Sequence, residues 1–214
     1  MNDIKKFSVD CQQCSRLSSF LDKNRSIYEK YYNLPVPSFG PKGSNLLIVG
    51  LAPGLHGANR TGRPFTGDHA GVILYSTLYK FGFSSQPAST VFDHKLNLIN
   101  CRITNAVRCV PPQNKPTSEE IHNCLSFLKE EILGLPKKNI ILALGKIAHQ
   151  SVVKSFEVQQ SEYNFKHGNI HELGLDQYLI DSYHCSRYNT QTRRLTKEMF
   201  ENVFSWIANQ LAKF

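Results

Sequence analysis

Short apolar runs separated by helix-like stretches set the rhythm of this chain. LLIVGL (46–51), NIILALG (139–145) and QYLIDSY (177–183) are nearly continuous, and a more mixed run lies within 98–107. Runs of this length without strict alternation suit strands buried on both faces of a sheet. Each is followed by a polar or Gly/Pro-rich connection and then by apolar residues at helical spacing. The helices expected after these strands are AGVILYSTLYKFGF, the stretch from SEE to about residue 133, KIAHQSVVKSF, and 197–214. Thr117-Ser118-Glu119-Glu120 supplies cap and first-turn signals for the second of them. A further helix is expected over 15–31, before the extended segment LPVPSFGPKG. The polar stretch 84–96 reads as a connection, and 157–175 as loop or irregular strand. Four strand–loop–helix units in succession predict a parallel sheet with helices on both faces, in one domain spanning 1–214.

Composition adds a partner class. The 214 residues are 41% hydrophobic and 20% charged, with a formal net charge of +8 and a pI near 9.2. That balance points to an anionic partner: nucleic acid first, a membrane surface or an acidic metabolite otherwise. The start, MNDIKKFSVDCQQC, has no apolar signal region, and no run reaches transmembrane length. The expectation is a cytoplasmic protein in a reducing compartment, where six cysteines serve as metal ligands or core residues rather than disulfides.

The richest connection is residues 50–68, GLAPGLHGANRTGRPFTGD. It follows a strand and precedes a helix, where α/β proteins place ligands. Gly57-ANRT-Gly62 has the spacing of a phosphate-binding P-loop start, but Arg63-Pro64 stands where Lys-Ser/Thr is needed. Glycines 50, 54 and 57 do not form a dinucleotide fingerprint either. A turn using glycine for geometry alone is the plain reading. Against it, Asn59, Arg60, Arg63, Phe65 and Asp68 crowd one short loop. An aromatic beside two arginines suits stacking on a base while holding phosphate.

Cys11 and Cys14 form a C-x-x-C pair, and Cys109 and Cys124 flank a Pro-rich turn and a helix start. Four thiolates can hold zinc or an iron–sulfur cluster; a zinc ribbon more often shows two C-x-x-C pairs, so the single pair favours iron–sulfur. Cys101 reads as a small core residue. His184 and Cys185 are neighbours at a strand end, where successive side chains point apart, so they do not make a nucleophilic dyad. The remaining histidines read as surface or core residues. Asn105 ends the second strand at the same sheet edge, where an amide can read a base edge. Arg187, Arg193 and Arg194 sit in a polar loop that reads as phosphate-binding once the net charge is counted.

Taken together and in order, GLAPGLHGANRTGRPFTGD, TNAVRCVPPQNKP and YHCSRYNTQTRRLT resemble the motifs of the uracil-DNA glycosylase superfamily, specifically family 5, the type B enzymes. The resemblance covers nearly the whole chain. It implies a three-layer α/β/α sandwich around a four-stranded parallel sheet and a structural 4Fe–4S cluster on Cys11, Cys14, Cys109 and Cys124. It implies excision of uracil, and of other damaged bases such as hypoxanthine, from single- or double-stranded DNA in base excision repair, by a monomer. Asp68, Asn105 and His184 match the catalytic positions; Gly50, Ala52 and Phe65 join them in substrate binding, and Arg60, Arg63, Arg187, Arg193 and Arg194 would hold DNA. Leu51 stands where an acidic residue often follows the first motif glycine, which favours family 5 and assigns the carboxylate to Asp68. Cys185 replaces a common proline, which loosens the backbone of the DNA-inserting loop. The competing reading is an iron–sulfur or zinc protein that binds damaged nucleic acid without cutting it.

Overall fold

A computed structural model describes residues 6–90 and 95–214. Four parallel strands form its centre: β1 (Leu46–Gly50), β2 (Cys101–Asn105), β3 (Asn139–Leu144) and a later strand Gln177–Ser182. Every residue of β1 and β3 is buried, which explains their unbroken apolar character. Alternate residues point into two separate cores. Leu46, Ile48, Ile103, Ile140, Leu142 and Ile180 pack on one side against helices His69–Lys80 and Lys197–Leu211. Leu47, Val49, Ile141, Ala143 and Leu179 pack on the other against Ser118–Leu133 and Lys146–Ser155. The molecule is therefore the expected three-layer α/β/α sandwich.

In chain order the helices are α1 (Ser15–Ile27), α2 (Ala58–Thr61), α3 (His69–Lys80), α4 (Ser118–Leu133), α5 (Lys146–Ser155), α6 (Arg187–Gln191) and α7 (Lys197–Leu211). The capping box read from the sequence is present at α4: Thr117 Oγ1 accepts from the Glu120 N–H, and the Glu120 carboxylate accepts from the Thr117 N–H. α3 stops at Lys80, short of the expected 83, because Gly82 turns into the left-handed region. α1 ends at Ile27 rather than 31, where Tyr28 leaves helical geometry. Of the polar connection 84–96, residues 91–94 lie outside the described residues.

The sheet corrects one expectation. It has five strands, ordered β2-β1-β3-β5-β4, where β4 is Ile170–Gly174 and β5 is Gln177–Ser182. β4 lies in the polar stretch 157–175 and pairs antiparallel with β5 across the tight turn at residues 175–176. Its side chains are exposed or half-buried throughout. A polar edge strand carries no apolar run, and polar residues at an edge also discourage pairing with other chains.

Candidate active site and cysteine centre

The carboxyl ends of β1, β2 and β5 open into a cleft of about 470 Å3, lined among others by Ala52, Phe65, Asp68, Asn105, His184 and Arg187. The sequence places these residues on three motifs; the fold brings them to one cavity. The register pairs Gly50 with Asn105. A Cβ on Gly50 would collide with the Asn105 side-chain oxygen and sit 2.7 Å from Phe65 Cζ, so only glycine lets this ring and this amide approach the strand end. Asn105 is 3% exposed, lines the cleft, and its amide makes no hydrogen bond to the described residues.

Phe65 is 6% exposed and its backbone adopts φ +53°, a conformation that costs a bulky residue about 1–3 kcal/mol. The neighbouring structure holds it there: the Tyr75 hydroxyl donates to the Pro64 carbonyl at 3.0 Å. The ring lies 5.8 Å from that of His184, at 28° between planes. His184 follows β5, and its carbonyl accepts from Asn189 Nδ2 at 2.8 Å. Burial lowers the His184 pKa below its ordinary value, an effect that the Asp68 charge opposes only in part. The imidazole is neutral at pH 7.

Asp68 caps α3, its Oδ1 accepting from the Gly71 N–H at 2.9 Å. No hydrogen bond from the described residues reaches Oδ2. Gly57 packs beneath this carboxylate; a Cβ there would lie 3.0 Å from Asp68 Cβ. The Cys185 departure is compensated by several contacts. The Cys185 thiol is buried and donates to the Ala70 carbonyl at 3.5 Å, and Ser186 caps α6. His69 Nε2 meets Thr190 Oγ1 at 3.1 Å, a contact that only the fold reveals.

The arginines separate. Arg187 lines the cleft, whereas Arg193 is exposed and Arg194 lies 4.7 Å from the Tyr183 ring. Arg63 is not on the cleft wall: it packs 4.6 Å from the Phe39 ring and donates to Ser89 Oγ. Arg60 Nη2 reaches the Gly67 carbonyl at 3.5 Å, within its own loop. Two residues that sequence reading passed over are His56, in the cleft wall, and Tyr188, 70% exposed and next in the chain to Arg187. An exposed aromatic next to a cleft arginine was the available signal for Tyr188.

Cys11, Cys14, Cys109 and Cys124 line one internal cavity together with Arg108, and all are free thiols. α1 and α4 bracket it, with Leu17, Leu21, Val107 and Phe127 packed around. Burial raises Cys14, Cys109 and Cys124 above the ordinary thiol range, Cys124 to about 11. The neighbouring thiols add to this, while the Arg108 backbone N–H lowers Cys124. Four such sulfurs ionise together only around a cationic centre. The four cysteines together form a donor set that can hold zinc or an iron–sulfur cluster. Cys101 is a fully buried strand residue, as expected.

Two of the remaining histidines meet in a buried polar group. His149 and His171 converge on the fully buried Asp181, at 2.7 and 3.1 Å, and all three lie within 4.8 Å. His149 Nε2 donates to the Tyr163 carbonyl at 2.8 Å, so both of its ring nitrogens face acceptors.

Comparison with known proteins agrees with this geometry. A family model described as the uracil DNA glycosylase superfamily matches residues 37–208. A type-5 uracil-DNA glycosylase of Thermus thermophilus is 44% identical over 198 residues, 90% of each chain. One of Pyrobaculum aerophilum is 38% identical over 207 residues, 94% of this chain and 89% of the relative. A type-4 enzyme of Archaeoglobus fulgidus is 26% identical over 209 residues, 95% of this chain and 91% of the relative. With its cleft, its fold and these similarities, the chain belongs to the uracil-DNA glycosylase superfamily and stands with the type-5 members.

Proposed function

We propose that this protein hydrolyses the N-glycosidic bond of deoxyuridine in DNA, releasing uracil as the first step of base excision repair. The observation that carries the reading is the convergence of Phe65, Asp68, Asn105 and His184 on one cleft at the carboxyl edge of the sheet. A base stacked in a duplex cannot reach such a site, so the nucleotide must be flipped, at a cost of a few kcal/mol. Phe65 stacks on the flipped base, a contact worth about 1–3 kcal/mol. The Asn105 amide, without a hydrogen-bond partner among the described residues, accepts from uracil N3–H and donates to O4. Cytosine presents the reversed pattern and leaves both groups mismatched.

Breaking the bond leaves positive charge on the sugar and negative charge on the base. His184, neutral at pH 7, donates a hydrogen bond to uracil O2 and stabilises the leaving anion. The free Oδ2 of Asp68 orients the attacking water and opposes the oxocarbenium charge. Arg187, Arg193 and Arg194 hold phosphates or fill the gap that the flipped base leaves in the stack. A cleft of about 470 Å3 has room for a bicyclic purine, which supports hypoxanthine as a second substrate.

Cys11, Cys14, Cys109 and Cys124 would hold a 4Fe–4S cluster whose contribution is structural: it ties the N-terminal segment and α1 to α4 and the end of β2. Asn105 lies four residues before Cys109, so the same tie steadies the base-reading strand end. The test is release of free base from oligonucleotides carrying a single uracil or hypoxanthine. Free uracil is expected; protein with intact iron and sulfide that binds such DNA but releases no base would overturn the reading.

A further inference from the structure

Arg108 is the largest fully buried side chain among the described residues, yet its charge is poorly matched. Its Nη2 lies 3.2 Å from Glu131 Oε1 and its Nη1 donates to Ser38 Oγ at 2.6 Å. That same carboxylate is already engaged on both oxygens by Arg102, at 2.5 and 3.1 Å. Two guanidinium groups thus share one carboxylate. The next acid near the cysteines, Glu120, is held by Arg16 through two contacts of 2.7 Å. Phe7 covers Arg108 from the other side, its ring 5.0 Å from the guanidinium carbon. Arg108 Nε is buried and finds no acceptor among the described residues.

A sealed positive charge and an orphaned N–H are each costly to bury. Arg108 lines the cavity of Cys11, Cys14, Cys109 and Cys124, and its charge acts on the Cys124 thiol. Its own backbone N–H already bonds the Cys124 sulfur. Asn123 Nδ2 contacts Cys14 Sγ at 3.5 Å, so donors to sulfur are arrayed on more than one side. Four thiolates around an iron–sulfur core leave a net negative assembly, a further counter-charge for an Arg108 that shares Glu131 with Arg102.

We propose that Arg108 is the charge and hydrogen-bond partner of the iron–sulfur cluster, setting its reduction potential and its retention. The proposal rests on the cluster reading above. Positive charge and N–H···S bonds both favour the reduced, more negative form and raise the potential. Because Arg108 lies three residues after Asn105, it also joins the cluster's electrostatics to the strand end that presents the base-reading amide.

The experiment compares anaerobically purified wild-type protein with Arg108→Gln and Arg108→Lys. Wild-type protein without iron and sulfide would sink the cluster reading itself, independently of Arg108. With the cluster present, Arg108→Gln should shift the oxidised-to-reduced ratio at the wild-type midpoint at least tenfold toward oxidised, about 59 mV for one electron. It should also lose iron to a chelator several-fold faster. Arg108→Lys, which keeps the charge, should return the ratio to within a few-fold of wild type. A folded Arg108→Gln protein with unchanged potential and retention overturns the proposal. Should that variant not fold, wild-type protein labelled with 15N-arginine decides the matter. Hyperfine coupling between a guanidinium nitrogen and the paramagnetic cluster is expected, and its absence overturns the proposal.

Discussion

Oδ1 of Asp68 is committed to capping α3, which leaves Oδ2 to face the cleft. Asp68→Asn can still accept the Gly71 N–H bond, so the cap and the fold should survive. Turnover should fall by roughly 10²–10⁴-fold while DNA binding persists, measured by single-turnover base release and fluorescence anisotropy. Gly57→Ala tests the same atom from below. Its Cβ would press on the Asp68 side chain, and a displacement of about 1 Å is enough to cost roughly 10²-fold in kcat. Its melting temperature should change little. For His184 the sign follows from burial: the folded protein disfavours the imidazolium, so activity should be level through pH 7 and decline only well below pH 6.5. A ring-proton NMR titration should place the midpoint below 6.5, and lower again in Asp68→Asn, which removes the charge favouring protonation. These residues were legible because motif order marked them. Arg63 was not: an arginine in a polar loop reads as exposed, and nothing local announces the Phe39 ring that it covers.

Elements differ in how openly they declare themselves. β1 and β3 are continuous apolar runs, and α4 carries its cap in plain residues. β4 hides because Leu173 is its one residue packed on a core, which leaves no apolar run to read. What fastens it is the His149–Asp181–His171 group, assembled from α5, β4 and β5 and separated by up to 32 residues in the chain. Burial alone would lower the His149 pKa, but the hydrogen bond that His149 donates to Asp181 and the Asp181 charge outweigh that and raise it. The stabilising contribution is therefore fully present below pH 6.5 and is lost as pH rises through the higher folded value. Hydrogen exchange of the β4 and β5 amides should show weaker protection against local opening across that rise, after correction for intrinsic exchange. His149→Leu leaves the buried carboxylate with one partner fewer and should cost about 3 kcal/mol in urea unfolding.

At the scale of the whole molecule, a net charge of +8 turns the protein toward DNA before any base is read. Affinity for single-stranded DNA should fall linearly in log–log form with salt. Arg187→Ala, Arg193→Ala and Arg194→Ala should each reduce that slope by about 1 where the residue contacts phosphate. Arg63→Ala should leave it unchanged, since that side chain is turned inward. The number of layers could be read from the strand–helix alternation, because burial on both sheet faces imposes it on the sequence.

The Phe65 platform has a kinetic meaning. A ring packed into the core on a left-handed backbone cannot lean out toward the duplex. The enzyme then captures bases that have already swung free, and the DNA supplies the work of opening. Excision should accordingly track the lifetime of the base outside its helix. Uracil in single strands should be removed fastest, uracil opposite guanine next, and uracil opposite adenine last, because that pair opens least readily. A genome surveyed in this way gives up its mispaired uracils first, and those are the ones that become mutations.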